Sequence, residues 1–476
     1  MSAPLWTYAA LIAASGGRAD GEPTAPVTGF TFDTRALEPG NVFVALKDQR
    51  DGHDFVTGAF KAGASLAIVS DAYDRKPGDG ALLRVADPLK ALENIGIAAR
   101  ARLSPDARII AVTGSAGKTG TKEMLRACLS KVAPGRVHAS EKSYNNHWGV
   151  PLTLARMPED TLYAIFEIGM NHAGEITPLA KMVQPHAAII TTVEAVHLEH
   201  FPSVEAIADA KAEIFSGLQI DGTAIIKRDS PHFKRLAAHA EALGHHVVVS
   251  FGLDPRAGAT AEALTLGEDA SEVDARISGA AVTYRVAMPG RHIAENSLAV
   301  AAALQAAGAP LEKALSALAT LPPPPGRGAR TLLAGPGGEI LLIDESYNAN
   351  PASMRAALAT LSAVPRAKFP RRIAVLGDML ELGPAAAKLH RDLFDAVDDA
   401  GTDMLFACGP HMKGLYDAAP DAMKGGYAET AAGLLPLVLA HAQAGDAVMV
   451  KASNGTRLGA LVDAMKAHFG CISPKL

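Results

Sequence analysis

Short apolar runs that alternate with helix-like segments are the dominant pattern of this sequence. Between residues 106 and 322 the runs are RIIAVTG, LYAIFEIG, HAAIITTV and GTAIIK, and between residues 323 and 476 they are EILLIDE, RRIAVLGD, DMLFACG and DAVMVKAS. Runs of this length that are separated by helices are typical of parallel strands covered on both faces. We therefore predict an α/β protein built on parallel sheets, with ligands at the carboxyl ends of the strands.

Two breaks in the pattern divide the chain. The segment ARLSPDAR, residues 101–108, ends a helical pattern at Ser-Pro, and LPPPPGRG, residues 321–328, holds four prolines that cannot lie inside a helix or a central strand. The breaks predict three domains, which span residues 1–105, 106–322 and 323–476. A length of 476 residues agrees with about three domains of ordinary size.

The composition narrows the class of protein. A net charge of -5 leaves no basic surplus, which disfavours nucleic-acid binding. Cys128, Cys408 and Cys471 are far apart and have no metal-ligand spacing, as expected in a reducing compartment. The apolar stretch of residues 5–14 follows no basic residue and is too short to span a bilayer, so an amphipathic first helix is favoured over a signal peptide. We predict a cytoplasmic protein without a membrane span.

The segment IIAVTGSAGKTGTKEML predicts a phosphate-binding loop. It reads as a strand, a glycine-containing turn and a helix that begins near Lys118, an arrangement that directs backbone N–H groups toward phosphate. The general pattern G-x-x-x-x-G-K-[ST] would place a glycine at Val112, so the match is incomplete. The loop consists of Thr113, Gly114, Ser115, Ala116, Gly117, Lys118 and Thr119.

The residue types in this loop suit a nucleoside triphosphate. The two glycines allow a tight turn, Lys118 can reach the outer phosphates, and the Thr119 hydroxyl can bind Mg²⁺. The alternative is a plain strand-to-helix turn that happens to hold a lysine. We favour phosphate binding, because Gly-Lys-Thr follows a well-formed strand and precedes a helical pattern.

Polar residues follow two of the predicted strands of the same sheet. Glu167 comes after LYAIF, and His197 comes after AAIITTV. With Thr119 as a third ligand, they form a plausible Mg²⁺ site at the sheet edge that carries the phosphate loop. A lone glutamate at a strand end is otherwise a solvated or capping residue.

Lys211 falls on an apolar stripe. In the helix predicted for SVEAIADAKAEIFSGL it shares one face with Ile207, Ile214, Phe215 and Leu218. One interpretation is a side chain that snorkels at the margin of the stripe. The other is an amine in a desolvated site, whose lowered pKa favours the neutral form and hence chemical modification.

Two further segments carry polar residues beside predicted elements. GRHIAENSLAV, residues 290–300, predicts a helix start with His292 and Asn296 on one face. LLIDESYNANPASM places Asp344 at a strand end and Asn348 in the loop that follows. The alternative for the second segment is simply a well-capped loop.

Many separate motifs in a fixed order resemble those of the Mur ligases, ATP-dependent enzymes that form amide bonds in peptidoglycan precursor synthesis. The resemblance spans essentially the whole chain. The motifs are FDTRALEPGNVFVAL, RDGHDFVTGAFKAGA, TGSAGKTGTKEM, SYNNHWGVPLTL, FEIGMNHAGEI, AVHLEHFPSVEAIADAKAEIF, PGRHIAENSLAVAAA, DESYNANPASM and VLGDMLELG.

The resemblance implies a fold and a reaction. It implies an N-terminal domain that binds a UDP substrate, a central P-loop-type ATPase domain and a Rossmann-like C-terminal domain. The implied enzyme uses ATP and Mg²⁺ to join D-alanyl-D-alanine to UDP-N-acetylmuramoyl-tripeptide through an acyl phosphate, and it forms ADP and phosphate. It would be a cytoplasmic monomer that serves cell-wall synthesis, and thereby cell shape and division.

The resemblance also implies residue roles. Lys118, Lys211 and His197 would be catalytic, with Lys211 carbamoylated to become a carboxylate-like metal ligand. The residues that would hold Mg²⁺ are Thr119, Glu167, His197 and Lys211. Those that would hold ATP are Thr113 to Thr119, Asn296, Arg327, Asp344 and Asn348. Those that would contact the UDP-linked substrate are Thr34, Arg35, Asn145 and Asn146.

The sequence departs from the family motifs near its C-terminus, and four alternative functions are open. VKASNGTRLGALV has Ala452 where a glycine is common, and Arg457 stands several positions late, so the dipeptide contacts in the last domain are not placed. The sister ligase that adds the third residue is one alternative, although the D-N-P-R signature of its diaminopimelate-type members is absent. Folylpolyglutamate synthase would lack the first domain, and no guanine-specific loops support a P-loop GTPase. A non-catalytic binding module is disfavoured, because Lys118, Glu167, His197 and Lys211 are all present.

Overall fold

The computed structural model describes residues 4–141, 143–196, 198–245 and 247–472. These residues form three sheets, of five, nine and six strands, with helices packed on their faces. The predicted α/β class is therefore confirmed. The strands of the three sheets lie within residues 18–85, 108–286 and 329–451. The division into three domains at the predicted breaks remains a prediction.

The first sheet combines parallel strands with one antiparallel edge. Its order is β1-β5-β4-β3-β2, and only the β1–β5 pair is antiparallel. Asp87 caps the last helix of this part by accepting hydrogen bonds from the backbone N–H groups of Leu89 and Lys90. The elements are α1 (Tyr8–Ser15), β1 (Arg18–Asp20), β2 (Gly29–Thr31), β3 (Asn41–Val44), α2 (Val56–Lys61), β4 (Leu66–Ser70), β5 (Leu82–Val85) and α3 (Pro88–Ala101).

The central sheet has the order β14-β13-β12-β11-β10-β9-β6-β8-β7. Its strands from β7 to β12 pair in parallel, whereas β12, β13 and β14 form an antiparallel ribbon. The elements are β6 (Arg108–Thr113), α4 (Lys118–Val132), β7 (Val137–Ala139), α5 (Gly149–Ala155), β8 (Tyr163–Glu167), α6 (Ile176–Val183), β9 (Ala187–Ile190), α7 (Val204–Ala212), β10 (Thr223–Lys227), α8 (Phe233–Ala242), β11 (Val248–Gly252), β12 (Ala259–Leu266), β13 (Ser271–Ile277), β14 (Ala280–Val286), α9 (Arg291–Ala306) and α10 (Leu311–Leu315).

The last sheet is parallel except at one edge, in the order β15-β16-β20-β17-β18-β19. Helices α11 to α14 pack on one face of this sheet, and α15 and α16 pack on the other. The elements are β15 (Ala329–Gly335), β16 (Gly338–Glu345), α11 (Pro351–Ser362), β17 (Arg371–Gly377), α12 (Ala386–Arg391), α13 (Phe394–Asp399), β18 (Met404–Cys408), α14 (Lys413–Ala418), β19 (Lys424–Ala428), α15 (Ala431–His441), β20 (Asp446–Lys451) and α16 (Leu458–Phe469).

The first sheet and the central sheet share one hydrophobic core. Buried residues of α3, such as Ile95, belong to the same cluster as Leu154 of α5 and Phe166 of β8. The indole N–H of Trp6 donates a hydrogen bond to the Ala155 carbonyl at 2.8 Å. This joint core holds the two sheets together. Within the part of the chain that the structure describes, no helix is both long and apolar enough to cross a membrane.

His186 makes folding stability depend on pH. Its Nδ1 accepts a hydrogen bond from the Ile109 N–H at 3.0 Å, at the start of the phosphate-loop strand. Burial, with the nearby positive charges of Arg100 and Arg108, lowers the pKa of His186 to about 4. Because the unfolded chain binds the proton more readily, this contribution to stability is complete above about pH 6.5 and is lost as the pH falls toward 4.

We expect the substitution His186→Asn to reduce the loss of folding stability between about pH 6.5 and pH 4. The asparagine Oδ1 can accept the same N–H but does not titrate. Urea unfolding between pH 7 and pH 4 measures the effect, with His468→Asn as the control, because His468 is exposed on α16. Equal acid sensitivity in His186→Asn and the wild type would contradict this role.

Candidate active site

The phosphate loop has the backbone that its sequence predicts. Strand β6 leads into the loop, and α4 begins at Lys118. Gly114 has φ +146° and Gly117 has φ +84°, conformations that side chains rarely adopt. A Cβ on Gly117 would lie 2.6 Å from the Asn296 amide nitrogen, so close packing also requires glycine there. Gly117 supplies no capping side chain to α4, which leaves first-turn N–H groups available to an anion.

A cavity of about 330 Å³ opens beside this loop, between the central and last sheets. From the central sheet and its helices, the lining takes the phosphate loop, the ends of β9 and β10 and the first turns of α9. The proline-rich linker lines the cavity too, and from the last sheet and its helices come the end of β16, the start of α11 and the end of β20. The lining includes Ser115, Ala116, Gly117, Lys118, Thr119, Thr191, Glu194, Lys227, His292, Asn296, Arg327, Glu345, Asn348, Asn350 and Lys451.

Four cationic side chains line this cavity, and three of them are Lys118, Arg327 and Lys451, which come from separate segments. The Lys118 ammonium donates to the Gly114 carbonyl at 2.6 Å. The Lys451 ammonium donates to the Asn348 carbonyl at 2.9 Å, and the Arg327 guanidinium stacks over an aromatic ring at 4.1 Å. Burial is the main cause of the lowered pKa of both lysines, and the charge of Arg327 lowers both further. Such a site favours a polyanion, because an anion would relieve the repulsion.

Glu167 lies behind the loop as a buried carboxylate. Its Oε2 accepts a hydrogen bond from the Thr119 hydroxyl at 2.8 Å, and its Oε1 accepts one from the Asn145 amide at 2.8 Å. The hydroxyl and carboxylate oxygens that lie together here are ligand types that suit Mg²⁺. No cluster of three or more His, Cys, Asp or Glu side chains forms a metal centre among the described residues.

Lys211 is buried, with 2% of its surface exposed. Helix α7 ends at Ala212 and continues as the 3-10 turn Glu213–Gly217, which keeps the predicted stripe inside the core. Burial lowers the pKa of Lys211 well below its ordinary value, and the charge of Lys118 adds to the shift. Its amine makes no hydrogen bond or ion pair with any described residue. A neutral amine is therefore favoured. His197 lies outside the described residues.

Family models match most of the chain. The model of the Mur ligase middle domain matches residues 112–304, and the model described as Mur ligase, glutamate ligase domain matches residues 330–454. The UDP-N-acetylmuramoyl-tripeptide--D-alanyl-D-alanine ligase of Escherichia coli (strain K12) is 35% identical over 93% of this chain and 94% of its own length. The chain belongs to the Mur ligase family. The resemblance inferred from the motifs is thus confirmed.

Other relatives and solved structures agree with this family assignment. The ligase of the same name from Rickettsia prowazekii (strain Madrid E) is 32% identical over 91% of this chain and 94% of its own. A crystal structure of MurF from Acinetobacter baumannii is 30% identical, covers 97% of this chain and 99% of its own, and has a TM-score of 0.83. MurF of Thermotoga maritima in complex with ADP has the same fold, with a TM-score of 0.77 at 21% identity over 93% of this chain and 98% of its own.

The structure of this Mur ligase brings most of the predicted nucleotide residues together, but not all. Asn296, Arg327 and Asn348 line the cavity. Asp344 does not line it, because its carboxylate turns back to accept hydrogen bonds from the N–H and hydroxyl of Ser346, at 3.1 and 2.6 Å. Thr113 is buried below the loop.

Several cavity residues of this Mur ligase were not predicted from the sequence. Lys451 ends β20, Glu345 ends β16, and an ion pair joins Lys227 at the end of β10 to Glu295 at 2.5 Å. His292 lies between these groups, and burial lowers its pKa. Lys451, Glu345 and Lys227 could have been predicted, because each is a charged residue at the carboxyl end of a strand, where such sheets bind ligands.

The predicted substrate residues lie near one another where the first sheet meets the central part. Thr34 and Arg35 belong to the 3-10 turn Thr34–Ala36, and Arg35 is exposed and paired with Asp33 at 2.7 Å. Just before this turn, the Phe32 ring packs edge-on against Tyr144 and Trp148, at 5.8 and 5.5 Å. In the sequence, Tyr144 and Trp148 lie on either side of Asn145 and Asn146. The Asn146 Oδ1 accepts hydrogen bonds from the backbone N–H groups of Trp148 and Gly149, where α5 begins.

Two further openings of the Mur ligase lie along the first sheet and beside the phosphate loop. A cleft of about 750 Å³ runs along the first sheet and is lined in part by Asp51, His53, Tyr73 and Trp148. The second is a polar cavity of about 300 Å³ beside the phosphate loop. Its lining includes Ser115, Lys118, Asn171, Tyr347, Asn348, Leu380, Glu381, Ser453 and Gly455.

Proposed function

We propose that this protein joins D-alanyl-D-alanine to UDP-N-acetylmuramoyl-tripeptide and converts ATP to ADP and phosphate. The observation that carries the proposal is the meeting of a phosphate loop with Arg327 and Lys451 in one cavity between two sheets. Relatives of 32–35% identity over nine-tenths of the chain carry the name of this ligase, which supports the same acceptor and donor.

The reaction needs an activated acid, because a carboxylate is a poor acyl donor. A terminal carboxylate oxygen of the tripeptide attacks the γ-phosphorus of ATP, the bond to the bridging oxygen breaks, and ADP leaves with its electron pair. The amine of the dipeptide then attacks the acyl carbon. Phosphate leaves with the electron pair of the acyl C–O bond, and the nitrogen releases a proton to solvent. The product is an amide.

The protein accelerates these steps by positioning and charge. In our proposal Lys118 and residues Thr113 to Thr119 hold the ATP phosphates, and Lys118 offsets the charge on the transferring group. Asn296, Arg327 and Asn348 complete the nucleotide site, and Lys451 is added to the predicted set. Asp344 would act only through the loop that it orders. The cavity lies between two sheets, so closure there would exclude water from the acyl phosphate.

The oxygen ligands behind the loop fit Mg²⁺. We propose that Thr119, Glu167, His197 and carbamoylated Lys211 hold the ion, which when bound neutralises phosphate charge. The hydrogen bond between Thr119 and Glu167 supports this role, because it places two oxygen ligands together beside the loop.

The UDP-linked substrate would extend along the first sheet. Thr34 and Arg35 would face its UDP end, with the neighbouring cleft of about 750 Å³ as room for it. Asn145 and Asn146 would contact the part that approaches the phosphate loop. We further propose three domains bounded near residues 105 and 322, a monomeric state and a cytoplasmic location.

Phosphate release from ATP tests the function. We expect release that requires both UDP-N-acetylmuramoyl-tripeptide and D-alanyl-D-alanine, with the pentapeptide product identified by mass. Release that occurs with a UDP-linked dipeptide and a single amino acid instead would identify the sister ligase that adds the third residue. No release from folded protein with either pair would contradict a ligase function.

A further inference from the structure

Tyr347 connects a loop of the last sheet to a loop of the central sheet. It lies between the end of β16 and the start of α11, and its hydroxyl donates a hydrogen bond to the Ser143 Oγ at 2.5 Å, across 204 residues of sequence. Ser143 lies between β7 and α5. Because the two hydroxyls belong to loops of different sheets, this bond forms only while the two sheets are packed together.

The ring of Tyr347 holds a cation of the nucleotide cavity. The Arg327 guanidinium carbon lies 4.1 Å from the centre of this ring, and Arg327 lines the cavity beside the phosphate loop. The Tyr347 N–H donates to the Gly326 carbonyl at 3.1 Å, and a Cβ on Gly326 would lie 2.9 Å from the Tyr347 Cβ. Stacking, backbone hydrogen bonding and close packing therefore all hold the linker against Tyr347.

Ser143 begins the segment that is predicted to contact the UDP-linked substrate. Its carbonyl accepts a hydrogen bond from the Asn145 N–H at 2.8 Å, which closes a tight turn. On its other side Asn145 is held by Glu167, whose Oε1 accepts from the Asn145 amide at 2.8 Å, and by the Gly169 N–H, which donates to the Asn145 carbonyl at 2.8 Å. The place of Asn145 thus depends on Ser143 as well as on the central sheet.

The stacking on Arg327 does not explain the hydroxyl of Tyr347. A phenylalanine ring offers a cation the same kind of face, whereas only the phenol can donate to Ser143. Tyr347 also lines the polar cavity of about 300 Å³, together with Ser115 and Lys118 of the phosphate loop. The bond to Ser143 therefore lies close to the place where the tripeptide carboxylate would meet the transferring phosphoryl group.

We propose that Tyr347 is a positioning residue for the UDP-linked substrate, because its hydroxyl holds Ser143, and thereby Asn145, in the orientation that binds this substrate. The proposal rests on the proposed function. It adds a residue of the last sheet to a substrate site that the sequence places in the first sheet and the central sheet.

Steady-state kinetics of Tyr347→Phe test the proposal. We expect this variant to raise the KM for UDP-N-acetylmuramoyl-tripeptide about 3- to 10-fold, the effect of losing one hydrogen bond between neutral groups. The KM for ATP should stay within about twofold, because the phenylalanine ring still stacks on Arg327. The kcat should also stay within about twofold, as expected when a binding contact rather than a reacting group is lost. Tyr347→Leu removes the ring as well and should raise both KM values.

A double-mutant cycle identifies Ser143 as the partner. Ser143→Ala should raise the KM for the UDP-linked tripeptide by the same factor as Tyr347→Phe, and the double variant should be no worse than either single variant. Ser143→Thr keeps a hydroxyl and should retain a KM near that of the wild type. Tyr416→Phe is the matched control, because Tyr416 is a half-buried tyrosine on α14 of the same sheet, and it should leave every KM unchanged.

The outcomes separate this proposal from the function itself. If the wild type forms the pentapeptide but Tyr347→Phe keeps the wild-type KM for the UDP-linked tripeptide, Tyr347 does not position this substrate and the function stands. Effects that multiply in the double variant would overturn the proposal too, because the two hydroxyls would then act separately. An equal rise in all three KM values with a lower melting temperature would likewise overturn it in favour of a structural role. If the folded wild type forms no pentapeptide, both the function and the role of Tyr347 are overturned.

Discussion

Replacing Lys118 by alanine is expected to lower kcat for pentapeptide formation at least about 1,000-fold, in the range seen when a charge that stabilises a transferring phosphoryl group is removed. The Lys118 side chain is half-buried, and its partner in the structure is a loop carbonyl rather than a carboxylate. Phosphate oxygens would therefore be a stronger partner than the one it has. Phosphate release in the presence of both substrates measures the loss.

The melting temperature of the variant distinguishes lost catalysis from lost folding. Desolvation lowers the pKa of Lys118, so its charged form is disfavoured in the folded state and Lys118→Ala should leave the melting temperature unchanged or higher. Lys131→Ala, an exposed lysine in the last turn of the same helix, should keep full activity. Full activity in Lys118→Ala would contradict the phosphate role, and equal losses in the two variants would indicate damage to α4.

The local parts of this site could be predicted from the sequence, because they depend on neighbouring residues. All eight apolar runs form parallel strands, and α4 begins at the predicted Lys118. The antiparallel ribbon of β12 to β14 was not predicted. In SEVDARI, buried and exposed residues alternate, so a search for continuous apolar runs misses a strand with one solvated face.

The meeting of charges across the cavity could not be predicted from spacing. Lys118 follows a strand of the central sheet, whereas Lys451 ends a strand of the last sheet, more than 300 residues later. Only the packing of two sheets brings them to one opening. Asp344 illustrates the reverse case. It lies next to the last residue of β16, close to the predicted strand end, but its carboxylate accepts hydrogen bonds from Ser346, a local turn that competes with a ligand role.

Lys211→Ala is expected to lower kcat at least about 100-fold, for a different reason. An unmodified ammonium at this buried position is unfavourable, and the lowered pKa supplies the neutral amine that can attack carbon dioxide. The nitrogen lone pair forms the C–N bond, the nitrogen releases a proton, and the product carbamate is anionic. Carbamoylation would thereby turn the Lys211 side chain from a cation into an anionic oxygen ligand.

Carbon-13 bicarbonate distinguishes this modification from a plain core lysine. The wild type should show a carbamate carbonyl signal by nuclear magnetic resonance that is absent in Lys211→Ala and present in the control Lys181→Ala, whose lysine is exposed on α6. Because protonation removes the nucleophilic lone pair, the signal should weaken as the pH falls through the lowered pKa of Lys211.

Chemical rescue completes the argument. Lys211→Ala leaves a space in which a small carboxylate such as formate can replace the carbamate oxygens, so added formate should restore part of the activity. It should not rescue Lys118→Ala, which lacks a cation rather than an anion. If Lys211→Ala kept full activity without any additive, Lys211 would be a core lysine, and the metal would be held by other oxygen ligands. Its burial would then cost stability without serving catalysis, and removing it should raise the melting temperature.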